Sequence, residues 1–78
     1  GSKEAVKLVL MSGRAVEYLY KGSKLTICYL YNYVPEQGSH CYQVHCDHND
    51  DKLRSSTIYP KIEDAIKQFL YLKMEIDR

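Results

Sequence analysis

The sequence predicts an α+β fold: an antiparallel three-stranded β-meander, with room for a fourth strand, packed against a C-terminal α-helix. Three observations lead there. Pro60–Ile76, PKIEDAIKQFLYLKMEI, sets Ile62, Ala65, Ile66, Phe69 and Leu70 at the three-and-four spacing of a helix with one apolar side. Ala15–Lys21 and Lys24–Val34 alternate aromatic or aliphatic residues with others on either side of Gly22-Ser23, a two-residue hairpin turn. Cys41–Asp47 alternates again, with Tyr42, Val44 and Cys46 set against Cys41, Gln43 and His45.

Each element has its own local signals. Lys3–Met11 reads two ways. As a helix, Ala5 pairs with Val9 and Val6 with Leu10, and Gly13 caps the end; as a strand, Val6, Leu8 and Leu10 share a face and Ser12-Gly13 turns the chain. A turn at Gly22-Ser23 sets Tyr20 opposite Leu25, Tyr18 opposite Ile27 and Val16 opposite Tyr29. All six then fall on one face, which Tyr31 and Tyr33 continue. The other face, with Ala15, Glu17, Leu19, Thr26, Cys28, Leu30 and Asn32, is mixed. A six-residue connector, Pro35–His40, would pair Tyr33 with Tyr42, Tyr31 with Val44 and Tyr29 with Cys46, whereas a five-residue one would bring Cys28 beside Cys46. His48–Ser56 reads as a polar connector, and Ile58-Tyr59 lead into the helix. Pro60 suits the first helical turn, where its missing N–H has no partner to lose. Glu63 and Asp64 sit near the positive end of the helix dipole, and Lys73 lies towards the other end.

Seventy-eight residues make one small domain, 1–78, with Gly1-Ser2 read as a cloning remnant. Such a chain has little room for an enclosed cofactor site, and none is expected. No apolar run approaches the roughly 18 residues of a membrane span. Three cysteines, Cys28, Cys41 and Cys46, are too few for a disulfide framework and point to a reducing, cytoplasmic setting. The net charge of +1 implies no general attraction to nucleic acid or membrane.

The run His40–His48, HCYQVHCDH, holds side chains that ligate transition metals. Strand alternation divides them, sending His40, Cys46 and His48 to one side and Cys41, His45 and Asp47 to the other, without a C-x2-C knuckle. His40, Cys46 and His48 are the metal candidates, set against the plainer reading of half-buried cysteines and exposed histidines. A Cys–His nucleophilic pair needs a lowered thiol pKa, a base in hydrogen-bond reach and an oxyanion site. Residues two apart on a strand are ~7 Å apart, so closeness in sequence does not supply the contact. No nucleophile elbow, phosphate loop or H-E-x-x-H occurs. The expectation is a chain that is not an enzyme.

Eight tyrosines, five of them within Tyr18–Tyr33, are the compositional oddity. Aromatic rings suit a pleated surface, and they also suit interfaces, where they give contact area with few rotamers to freeze. The expected function is therefore a small non-catalytic binding module for a protein, a regulator or inhibitor, contacting its partner through Tyr29, Tyr31 and Tyr33. The alternative is a nucleic-acid-binding domain that stacks bases on those rings and contacts phosphates through Arg14, Lys21 and Lys24. The mixed second face makes a homodimer a further expectation.

With Lys3–Met11 helical, the order helix, three strands, helix resembles a double-stranded-RNA-binding domain. Three strands followed by a helix are similar to the small DNA-binding domains of some tyrosine recombinases. Both are resemblances of order alone. The start of the last helix, Pro60-Lys61-Ile62-Glu63-Asp64, lacks the basic cluster that the first family uses on phosphates, so no functional residue carries over.

Overall fold

Lysine, glutamate, alanine and leucine favour helix in the N-terminal segment, and the computed structural model, which describes residues 2–31 and 40–78, resolves that segment as helix α1, Ser2–Met11. Val6 and Leu10, four residues apart, form its buried stripe. Gly13 ends it at φ +83°. The Gly13 N–H donates to the Leu10 carbonyl at 3.0 Å and the Arg14 N–H to that of Val9 at 3.3 Å. This paired closure satisfies two carbonyls that the last turn would leave open.

Four strands follow: β1, Val16–Tyr20; β2, Ser23–Tyr31; β3, His40–Asp47; and β4, Ser55–Tyr59. They form one antiparallel sheet in sequence order, and α2, Ile62–Asp77, closes the chain. The architecture is the expected α+β meander with its C-terminal helix, and the sheet has four strands. Ser55 and Ser56, the end of the expected polar connector His48–Ser56, belong instead to β4. That added strand separates the element order from that of a double-stranded-RNA-binding domain.

Both strand registers differ from expectation while keeping the expected faces. The first turn is Lys21-Gly22, with φ of +47° and +82°. Positive φ at both central residues matches the right-handed twist of the flanking strands. Tyr20 therefore pairs with Ser23, Tyr18 with Leu25 and Val16 with Ile27, two residues from the Gly22-Ser23 register. Between β2 and β3 the shift is four residues: Tyr29 pairs with Tyr42, Ile27 with Val44 and Leu25 with Cys46, and Tyr31–His40 is the last pair. Even shifts leave every side chain on its own face. The observed register sets four non-aromatic side chains, Leu25, Ile27, Val44 and Cys46, at the centre, each no more than 1% exposed. The expected one would have paired Tyr29 with Cys46 and Tyr31 with Val44, placing their rings there.

Helix α2 buries Ala65, Ile66, Phe69, Leu72 and Ile76 against that aliphatic centre. Tyr18, Tyr20, Tyr42 and Tyr59 surround it half-buried, so tyrosine forms the rim of the core rather than its middle. The helix starts at Ile62 with Lys61 as its N-cap, which moves Pro60 just outside it. Helix α1 packs beside α2 on the same layer and reaches β1. No described helix is long and apolar enough to cross a membrane. Opposite the helices, Leu19 is 69% exposed on a mixed face that also carries Cys28, Leu30, Cys41 and Ile58. There Lys24 pairs with Glu17 at 3.0 Å, and the Gln43 amide donates to Ser56 at 2.9 Å.

Candidate functional site

The Tyr29–Tyr42 pair of β2 and β3 is the base of a surface hollow. Alternation points both rings to the helix side, with centroids 5.6 Å apart and tilted. His40, two residues before Tyr42, shares that face. Its ring stacks on Tyr29 at 5.7 Å, and the Tyr29 hydroxyl and His40 Nδ1 share a hydrogen bond. The glycine closure of α1 brings Leu10, Met11 and Gly13 over this cluster, and together they line a depression of about 280 Å³. Met11 is 70% exposed at its rim, and Leu8, one turn earlier on α1, is 69% exposed. Burial raises the Tyr42 hydroxyl above its ordinary pKa, with the neighbouring Tyr29, Glu63 and Cys41 adding to the shift. The result is an aromatic hollow edged by flexible aliphatic side chains.

Arginine and lysine are spread out. Arg14 precedes β1, while Lys21 lies in the turn after it. At the rise of a strand the intervening residues put the two on the order of 20 Å apart. The Lys21 ammonium sits 5.2 Å from the centre of the Tyr20 ring, and Lys24 is engaged by Glu17 on the open face. Of the three tyrosines expected to meet a partner, Tyr29 lies in the hollow. Tyr31 is placed only by its backbone pairing with His40, and Tyr33 lies outside the described residues, as does the connector Pro35–Ser39.

Among the described residues no three metal-ligating side chains come together. Cys46 is fully buried under α2 and six residues along β3 from His40, a span of about 20 Å. His48 instead accepts the Asp50 N–H through Nδ1 at 2.9 Å. Burial raises the Cys28 and Cys46 thiols, which keeps them from forming the nucleophilic thiolate. Cys41 is buried, with its thiol 3.5 Å from the Leu30 carbonyl, and lies about 13 Å along the strand from His45.

Sequence reasoning passed over Leu8, Met11, His40 and Tyr42 as members of one surface. One signal was present: in the helical reading of the N-terminal segment, Leu8 and Met11 fall off the Val6–Leu10 stripe. Comparison of the chain with known protein families, with characterised proteins and with solved structures gives no match.

Proposed function

We propose that this chain is a small non-catalytic binding domain whose partner is a protein, docking where α1 ends against the sheet. The observation that carries this reading is the Tyr29–His40–Tyr42 hollow with Met11, 70% exposed, among its lining residues. Aromatic residues and methionine are enriched where partners dock, because they supply contact area at low entropic cost. A nucleic-acid partner would need converging cations, and Arg14, Lys21 and Lys24 are dispersed or engaged. The role is that of a regulator or inhibitor, and three unpaired cysteines suit a cytoplasmic setting.

The test is capture from a host lysate on the immobilised chain, with and without nuclease, followed by identification of the retained proteins. The expected result is a protein held at high salt after nuclease, lost with Met11→Glu and retained with Met74→Glu, an exposed change on α2. Loss of every partner on nuclease treatment would replace the protein reading with the nucleic-acid one.

A further inference from the structure

We infer that the chain forms a two-fold dimer through its outer strand β4, which joins two sheets into one of eight strands. The inference rests on a part of the molecule separate from the hollow at the end of α1. Among the described residues β4 pairs with β3 alone, so its other side offers N–H and C=O groups that no described strand takes up. Such a row is satisfied by another extended backbone. Exposed edges are ordinarily blunted by charge, proline or a bulge. Ser55–Tyr59, SSTIY, has neither charge nor proline, and its five pairs with β3 run in unbroken register. Ser56 and Thr57 are exposed.

The opposite edge contrasts with it. β1 carries the charged Glu17 and has α1 packed on it. Beside β4 lies a groove of about 380 Å³ lined by Tyr59, Asp64, Lys67, Gln68 and Tyr71. Tyr71 is 50% exposed there. Asp64 and Lys67 enter no ion pair within the described chain, and they give the groove one charge of each sign. A second copy therefore meets an uncharged strand and an electrically balanced rim. A two-fold axis doubles both signs equally and can set each charge towards its opposite.

Alternation fixes the register. For both copies to keep their helices on one side of the joined sheet, paired residues must come from the same face, and the longest such overlap is centred on Thr57. Thr57 then faces Thr57 of the second copy, Ser56 faces Ile58, and Ser55 faces Tyr59. Opposed residues of an antiparallel pair have Cα atoms about 4.5 or 5.5 Å apart, and both spacings suit a disulfide. Substitution at this one position therefore reports on the register.

The experiment measures mass in solution by sedimentation equilibrium over a range of concentrations, together with cross-linking of Thr57→Cys. Wild type is expected to dimerise. Thr57→Lys, which opposes two like charges across the axis, should move the midpoint to at least about tenfold higher concentration while leaving the circular dichroism spectrum unchanged. On oxidation, Thr57→Cys should give a cross-linked dimer that exceeds both the wild-type background from its three native cysteines and a Ser12→Cys control. A wild type that stays monomeric throughout overturns the inference. A dimer that Thr57→Lys leaves intact, or Thr57→Cys cross-linking no better than Ser12→Cys, overturns it too.

Discussion

Lys21 adopts φ +47°, in the left-handed region that costs an ordinary side chain roughly 1–2 kcal/mol. The turn needs that conformation, and glycine provides it at the second position only. Asparagine tolerates it better through its short polar side chain, so Lys21→Asn should stabilise the domain by about 0.5–1 kcal/mol. The gain should appear as a rise of a few degrees in the thermal midpoint, and an unchanged or lower midpoint would contradict the turn geometry. The lysine's ring contact with Tyr20 is exposed and offsets little of that gain. This strain also explains the two-residue error in reading the hairpin. Glycine marked the turn correctly, but the sequence alone did not suggest that a lysine would share its left-handed conformation.

Helix α2 is well made along its buried stripe and poorly made at its start. Lys61 stands at the N-cap in extended conformation without a side-chain hydrogen bond, although the Ala65 N–H closes on its carbonyl at 3.2 Å. Lys61→Ser supplies an oxygen acceptor for one of the open N–H groups of the first turn and should stabilise the fold by about 1 kcal/mol in urea unfolding. At the centre of the stripe, Phe69 is 2% exposed, and Phe69→Ala should cost about 3–5 kcal/mol. A domain of this length has roughly 4–12 kcal/mol in all, so that variant should be partly unfolded by circular dichroism at room temperature. Met74→Ala, on the exposed side, should leave the midpoint nearly unchanged. The stripe was legible because helical spacing is a local property. The missing cap was legible too, since Lys61 has no acceptor to offer, once the helix is known to start after Pro60.

Across the whole molecule, one contact joins the first strand to the last turn of the chain. The Tyr18 hydroxyl donates to the Asp77 carboxylate. Lys73 bonds the same carboxylate at 3.3 Å and lies 4.5 Å from the centre of the Tyr18 ring. The hydrogen bond to Asp77 raises the Tyr18 hydroxyl to about 12, and the same bond holds the Asp77 carboxyl below its ordinary value. The raised tyrosine contributes stability in full below its unfolded value near 10, and that contribution is lost as pH rises towards 12. The lowered aspartate contributes above its unfolded value near 4, and its contribution is lost as pH falls through the lowered one. The stability difference between wild type and Tyr18→Phe should therefore be level from roughly pH 5 to 9 and shrink at both extremes. Urea midpoints of the two proteins across pH would show this, and a difference independent of pH would mean that the bond does not form in solution.

The sequence by itself determined which segments are helix and strand for most of the chain, and it determined the face to which each strand residue points. Periodicity of two survives any even slip in pairing, so the faces of the strands were legible before their neighbours were known, whereas the burial of Leu72 and the half-burial of Leu70 and the tyrosines were not. Only the tertiary structure decided who those neighbours are. It placed aliphatic pairs rather than tyrosines under α2, because a ring at the sheet centre would hold the helix away from Leu25, Ile27, Val44 and Cys46. It also resolved the N-terminal segment as helix, since a one-sided Val6–Leu10 stripe gains burial against α2 and the sheet together. The hollow of Leu10, Met11, Gly13, Tyr29, His40 and Tyr42 arises from that docking, and no local run of residues contains it.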